Sequence, residues 1–373
     1  MRRLRMMGRA PLTNLPTALG EGGSRPPSAT KGFKGRLGSS LRMEKKGGVL
    51  VTGGGGFIGT NLVRALVARR ERVIVLENEF LGRLSNLDGV DCTKIKGDAA
   101  DAKLVDRLVR RHRVDRVAHF AGYTSAPMYA DDTKRKIVEN FEQFVTVLDA
   151  AREHKLKVVY ASTSSFYARS PKPFREDAAI VPATPYELSK YVMEQAAHTY
   201  HHEYGVVANG LRFFSVYGPH ERHKTRFANN ISQFYWSIKN GVSPVVFGDG
   251  NQTRDFTFVG DLVEALLLAL EKGTGSEVYN IGTGKEHSFN EMIALLNKRL
   301  GTDAQPTYVD NPLKNYVQET LADTSKAQRD LGWTASTTLE EGIGVLVDSN
   351  EEFSKKDAEN LYRWIRVAPN QKA

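Results

Sequence analysis

The chain has 373 residues and a mass of 41.5 kDa, more than one hydrophobic core usually serves, so about two domains are expected. Apolar residues make up 40% and charged residues 25%, which excludes a disordered chain, and the single cysteine, Cys92, excludes an internal disulfide or a thiolate metal centre. Formal net charge is +9, but residues 1–42 hold nine Lys/Arg against Glu21 alone, which leaves 43 basic and 42 acidic groups in residues 43–373 and excludes a uniformly basic nucleic-acid binder.

Residues 1–42 are rich in Arg, Gly, Pro and Ser, show no sustained period and are expected to form a disordered basic tail. Three readings compete for it: a transit peptide, a basic arm for anionic partners, or a misassigned start, since Met43 stands just before the first strand. From Gly47 a regular alternation begins. Val49–Val51 reads as a buried strand, and Ile58, Leu62, Ala65 and Leu66 share one face of a following helix. Val73–Leu76, Val114–Phe120, Val158–Ala161 and Val206–Leu211 read as further strands. Helices are expected around Leu104–Val109, Ile137–Arg152 and Tyr186–Tyr204. Short apolar strands alternating with such helices predict an α/β fold, a Rossmann-like doubly wound parallel sheet. The expected dinucleotide domain spans residues 43–217 with a returning segment at about 251–285. Residues 218–250 and 286–373 would form a smaller, discontinuous α+β substrate domain and C-terminal region. The longest apolar stretches, such as Ala265–Leu270, are too short to span a bilayer.

Three motifs carry chemistry. In Thr52-Gly53-Gly54-Gly55-Gly56-Phe57-Ile58-Gly59, glycines recur every three residues at Gly53, Gly56 and Gly59, between a strand and a helix. That pattern allows a tight turn, close backbone approach to a pyrophosphate and free helix N-terminal N–H groups. Glu77 ends the second strand 24 residues after Gly53, where an acid can bind ribose hydroxyls and repel a 2′-phosphate, favouring NAD over NADP. Tyr186 and Lys190, four apart on a helix, share a face and can meet one ligand. A phenol titrates near pH 10, so its use as a base at neutrality requires a drop of about three units, roughly 4 kcal/mol, from a nearby ammonium and an oxidised nicotinamide. Thr163, within Ala161-Ser162-Thr163-Ser164-Ser165-Phe166-Tyr167, stands at the carboxyl end of a strand, where open parallel sheets bind ligands.

Together and in this order, these motifs resemble the extended short-chain dehydrogenase/reductase family, in its nucleotide-sugar epimerase/dehydratase branch. Further matching segments are Lys96-Gly97-Asp98, His119-Phe120-Ala121-Gly122, Leu211–Pro219, Gln252–Phe256 and Leu321–Ala327. The resemblance implies that Asp98 and Ala99 lie near the adenine and that Phe120, Ala121 and Gly122 line the cofactor cleft, with Asn140 beyond them. Phe57, Ile58 and Asn78 complete that set. Lys190 would hold nicotinamide ribose hydroxyls, Phe213 would sit near the nicotinamide, and Thr163 would be the catalytic Ser/Thr. Ser164, Ser215, Asn230, Arg254 and Lys314 are the implied substrate-binding residues, with Arg254 clamping the nucleotide diphosphate. Each has a plainer structural reading: Phe213 as core packing, Asp98 as an N-cap, Arg254 as a surface ion pair with Asp255. No metal is implied.

Related dehydratases and decarboxylases usually carry an acid shortly after the catalytic Thr/Ser, whereas this chain has Ser164 and Ser165, which favours epimerisation. The expected activity is therefore NAD-dependent 4-epimerisation of a nucleotide sugar, a UDP-hexose or its N-acetyl equivalent, by transient oxidation at C4. The alternatives are a 4,6-dehydratase or reductase of the same family, or a non-catalytic NAD-binding module with a nucleic-acid-binding arm. Departures from the family pattern are Phe166-Tyr167-Ala168, Gln143-Phe144, Phe214-Ser215 and Asn311–Tyr316, where Lys314 takes the place of a clamping arginine. Thr320 falls where plain-hexose epimerases carry a bulky aromatic, leaving room for an N-acetyl group. The expected partners are NAD and a nucleotide-diphosphate sugar, in a cytoplasmic homodimer without a membrane or nucleic-acid role.

Overall fold

In a computed structural model, the structure describes residues 47–167, 170–311 and 316–367; the basic tail, Ala168 and Lys314 lie outside the described residues. The first half alternates β1 (Gly48–Thr52), α1 (Phe57–Ala68), β2 (Val73–Glu77), β3 (Thr93–Lys96), α2 (Ala102–His112), β4 (Val114–His119), α3 (Thr133–His154), β5 (Lys157–Thr163), α4 (Pro185–Tyr204) and β6 (Val207–Phe213). The second half runs α5 (Asn230–Lys239), β7 (Val245–Phe247), β8 (Thr253–Arg254), α6 (Val259–Lys272), β9 (Val278–Ile281), β10 (His287–Ser288) and α7 (Phe289–Leu300). It ends with β11 (Thr307–Val309), α8 (Ser325–Leu331), α9 (Leu339–Asp348), α10 (Lys355–Asn360) and α11 (Arg363–Val367).

Seven strands form one parallel sheet in the order β3-β2-β1-β4-β5-β6-β9. Both faces are covered, so β1 and β2 are buried along their whole length and read as continuous apolar runs, Gly-Val-Leu-Val-Thr and Val-Ile-Val-Leu-Glu. Leu62 and Leu66 of α1 pack with Leu262, Leu266 and Leu270 of α6 on one face. Val105 and Leu108 of α2, Phe144 and Leu148 of α3 and Met193 of α4 cover the other. The edge strand β3, Thr-Lys-Ile-Lys, carries no sequence signature because a half-exposed edge needs only the single apolar residue Ile95. Residues 259–281 return to the sheet, α6 as a covering helix and β9 as its seventh strand. Ala327, Leu331 and Trp333 also pack against this core, although they fall within the segment expected to serve the substrate domain.

The rest of the C-terminal half builds a separate apolar cluster from Phe234 and Trp236 of α5, Met292 and Leu296 of α7, and Ile343 and Leu346 of α9. Small ladders link these pieces. The antiparallel pair β8–β10 aligns Arg254 with His287, and β7 pairs in parallel with β11. Among the described residues no helix is long and apolar enough to cross a membrane.

One buried ion pair braces the carboxyl ends of β5 and β6. Arg212 donates from Nε and Nη2 to both oxygens of Glu194 on α4 at 3.0 and 2.7 Å, with both side chains 5% exposed. Ser162 donates to the same carboxylate and Tyr167 stacks beside the guanidinium, so the pair fixes the residues on either side of Thr163. Removing one partner strands a buried charge, so Arg212→Met is expected to destabilise the fold by about 3–5 kcal/mol. In denaturant unfolding, the double variant Arg212→Met/Glu194→Met should recover most of that loss, and a double variant no better than the single would show that the pair is not the brace.

Candidate active site

The sheet order places β1 between β2 and β4, and their connections leave in opposite directions, opening a cleft of about 690 Å³ at the carboxyl ends of the strands. The glycine turn forms its floor. Gly53 has φ +67°, and a Cβ on it would lie 2.6 Å from the Ala121 nitrogen and 2.7 Å from the Phe120 carbonyl carbon. Gly59 packs so tightly that a Cβ would sit 2.3 Å from the Gly53 oxygen. Helix α1 begins at Phe57 with Gly56 as its N-cap and no capping side chain, which leaves its first N–H groups aimed into the cleft. Gly53, Gly56, Phe57, Ile58 and Gly59 all line it, as the sequence predicts, and this cradle fits a pyrophosphate.

The acidic end of β2 adjoins the turn. Glu77 is 5% exposed and accepts from the backbone of Gly55 at 3.2 Å and Glu79 at 2.9 Å. Burial pushes its carboxyl above the usual range, and those two N–H groups oppose the shift. Beyond it, Asn78 and Gln143 both donate to Asp98, at 3.0 and 3.2 Å, and Asp98 also accepts from the Ala100 nitrogen. Ala99 and Phe120–Gly122 complete this wall. Asn140 does not reach the cleft. It is 1% exposed and cross-links the backbone of Tyr123 to Tyr129 and Ser189, while its amide blocks any Cβ on Gly122, 2.5 Å away.

At the opposite end the cleft brings together Thr163, Ser164, Tyr186, Lys190, Phe213 and Ser215. Thr184 caps α4 by accepting from the Glu187 nitrogen, and Pro185 occupies the first helical position, so the helix starts just ahead of Tyr186. Ser189 then bonds the Tyr186 carbonyl and the Tyr129 hydroxyl, each at 2.8 Å, pinning this first turn. Lys190 is 4% exposed and its ammonium has no hydrogen-bond or ion-pair partner among the described residues, so its donors are available to a ligand. Burial drives its pKa down to about 8. The phenol moves the other way: burial pushes Tyr186 up to about 12, with only a hydrogen bond from Thr163 opposing it. The lowering expected from the neighbouring ammonium is absent in the protein alone, because desolvation is the larger effect.

Arg254 lines the cleft and has no acidic partner among the described residues; it donates to the carbonyls of Thr253 and Gln318 and lies 5.1 Å from the ring centroid of Tyr316. Asp255, on the other face of the strand, is fully buried and accepts from Thr283 twice, Gly284 and Ala322, which excludes the ion-pair reading for Arg254. Asn230 is not brought to the cleft. It opens α5 as an exposed residue, whereas its neighbour Asn229 caps that helix through the Ile231 nitrogen. Cleft residues that sequence reasoning did not assign to the site include Arg135, Glu139, His223 and Lys224. The last two sit in an irregular segment with no periodicity, and only their charge, next to the Tyr-Gly-Pro turn, could have flagged them.

The unpartnered Lys190 has a measurable cost. Its amine titrates near 8 when folded and at 10.5 ordinarily, so the unfolded chain binds more protons between those values. Stability of the cofactor-free protein should therefore rise as pH climbs from about 8 to 10.5, and its Lys190 contribution should be lost as pH falls back through 8. Lys190→Met is expected to remove that slope and to add about 3 kcal/mol at neutral pH. A variant no more stable than the parent in denaturant melts at pH 7 would refute the penalty.

Residues 49–282 match the NAD dependent epimerase/dehydratase family. The chain is 35% identical over 309 residues to a putative UDP-glucose 4-epimerase of Methanocaldococcus jannaschii, covering 80% of this chain and 97% of that protein. It is 32% identical over 340 residues to UDP-glucuronate 4-epimerase 3 of Arabidopsis thaliana, covering 83% and 78% respectively. The crystal structure of the Thermotoga maritima UDP-glucose 4-epimerase with UDP-glucose superposes with a TM-score of 0.76 at 32% identity, covering 81% of this chain and 97% of that one. With a glycine cradle, a buried acid at the end of β2 and the Tyr186/Lys190 pair in one cleft, the chain belongs to the NAD dependent epimerase/dehydratase family, and its cofactor is NAD.

Proposed function

We propose that this enzyme is a UDP-sugar 4-epimerase. The observation that carries the reading is the convergence of Thr163, Tyr186 and Lys190 at one end of a cleft whose other walls are the glycine cradle and the unpaired Arg254. Bound NAD supplies a reversible hydride acceptor. Tyr186, once ionised, takes the proton of the sugar 4-hydroxyl and returns it after the sugar has turned. Thr163 donates a hydrogen bond to the C4 oxygen, which matters most while that oxygen is a carbonyl. Lys190 holds ribose hydroxyls of the cofactor, and its positive charge, with that of the oxidised nicotinamide, offsets the burial that keeps the phenol protonated. Arg254 grips the nucleotide diphosphate, so that the sugar can rotate while the nucleotide stays fixed. Ser164 and Ser215 face the sugar.

Epimerisation rather than dehydration is supported by the placement of the cleft's carboxylates. Glu77, Asp98, Glu139 and Glu142 lie on β2, after β3 and on α3, whereas Ser164 and Ser165 follow Thr163. Among the described residues that line the cleft, none of those from Ala161 to Ser165 is an acid. The small Thr320 lines the cleft with its hydroxyl occupied by the Asp255 nitrogen at 2.9 Å, which favours acceptance of N-acetylhexosamines beside plain hexoses.

We further infer a homodimer. The exposed apolar side chains Val138 and Phe141 of α3 and Leu188 of α4 lie on helices packed side by side, a surface suited to a second copy. The lone free Cys92 suits a reducing, cytoplasmic setting.

Incubation with a panel of UDP-sugars, followed by NMR of the products, tests the activity. A C4 epimer of unchanged mass is expected. A product lighter by one water would replace this reading with dehydration. Tyr186→Phe should lower turnover at least about 1000-fold while NAD stays bound, and near-normal activity would remove Tyr186 from its role. Thr320→Tyr should depress turnover of UDP-N-acetylhexosamines about tenfold relative to UDP-hexoses; an unchanged ratio would mean that this position does not set sugar size.

A further inference from the structure

The segment between β6 and α5 carries a cation that no sequence motif announced. Glu221 is fully buried and its carboxylate accepts from the Asn229 nitrogen at 2.9 Å, the Ser232 hydroxyl at 2.6 Å and the Lys224 ammonium at 2.8 Å. This anchor holds the backbone in an unusual shape, with Thr225 at φ +46° and ψ −119°. The Lys224 ammonium is thereby set 5.4 Å from the ring centroid of Phe57, the first residue of α1. The adjoining His223 is tied to the same turn. Asn86 donates one amide hydrogen to the Gly55 carbonyl at 2.8 Å and the other to His223 Nδ1 at 3.1 Å. Because a carbonyl can only accept, the amide nitrogen must face Gly55, so Nδ1 of His223 is an acceptor and its proton sits on Nε2. Burial and neighbouring cations press the ring's pKa down to about 4, so it stays neutral at physiological pH.

We propose that Lys224, with His223 beside it as a neutral donor, contacts the cofactor's pyrophosphate next to the α1 N-terminus. The inference rests on the assignment of NAD to this cleft and adds a partner from the substrate-side segment. Glu221 uses one ammonium hydrogen and leaves two. A lysine whose ammonium lies 5.4 Å from the ring of the first residue of α1, and which lines the same cleft as the glycine turn, is placed to meet the same dianion as the free helix N–H groups. The position also couples the halves of the enzyme, because a segment continuous with the substrate side would be ordered by the cofactor.

The test uses the full-length enzyme freed of nucleotide, titrated calorimetrically with NAD, ADP-ribose and adenosine. Lys224→Gln should weaken NAD and ADP-ribose about tenfold, the scale of one charge-assisted hydrogen bond, and leave adenosine unchanged. Lys224→Arg, which keeps the charge, should restore most of that affinity, separating the role from mere packing. As-purified Lys224→Gln should also retain less NAD through gel filtration. Unchanged NAD affinity, or an equal loss for adenosine, would overturn the proposal. So would weakened UDP binding to the NAD-loaded variant with normal NAD affinity, which would assign Lys224 to the substrate's phosphates. These readouts do not depend on turnover, so failure of the epimerase reading would leave them interpretable.

Discussion

The site depends on one close approach, that of the Gly53 turn against the end of β4. With no Cβ, Gly53 lets its backbone lie against Phe120 and Ala121, and the turn can then bend back into α1. Thr52 and His119, paired in register on β1 and β4, reinforce the junction through a 2.8 Å hydrogen bond. Because every strand of this sheet runs the same way, all the carboxyl ends meet at one edge. Glu77, Phe120, Thr163 and Phe213 end four different strands or directly follow them, yet all reach one cleft. The chemistry is dispersed in sequence and gathered by topology.

Within that cleft, burial acts against charge on the two groups proposed for catalysis. Desolvation discourages charge on both Tyr186 and Lys190, raising one pKa and lowering the other. A surface tyrosine and lysine would each sit nearer their ordinary values, but water would screen any coupling to a bound ligand. The enclosed site accepts a less stable free protein in exchange for strong coupling once charges arrive. For the role proposed for Lys190, a carboxylate partner would satisfy the ammonium and weaken its pull on ligand hydroxyls and on the phenol, and among the described residues it has none.

Much of this was legible in the sequence because it rests on local rules. Glycines three apart between a strand and a helix, and Tyr186 four residues before Lys190, are patterns set by backbone geometry, and both ended in the cleft. What escaped depends on packing. Adjacent strand residues point to opposite faces, and sequence leaves open whether Arg254 turns toward the cleft or toward Asp255. The same limit applies to Asn229 and Asn230, of which the capping residue is Asn229. Asn140 matched a family position yet lies behind the wall, bracing Gly122. The direction of the Tyr186 shift was also beyond reach, since it is governed by how much water the fold removes.

Charge shows the same contrast between inventory and placement. The described body is nearly neutral, so its anionic ligands are not drawn by a global field. Attraction instead comes from cations whose nearest acids are otherwise engaged. Asp255 adjoins Arg254 in sequence, but four donors hold it on the far side of the strand, and the guanidinium is left for the cleft. Lys190 likewise has no ion-pair partner among the described residues, and Glu194, four residues on in the same helix, is engaged by Arg212 and Ser162. Glu221 is the exception that clarifies the rule, because its carboxylate does bind Lys224 but is also bonded to Asn229 and Ser232. Shared among three donors, it restrains the lysine's position without fully neutralising it. An enclosed cleft with a few such cations can select a diphosphate where a strongly basic surface would select any polyanion.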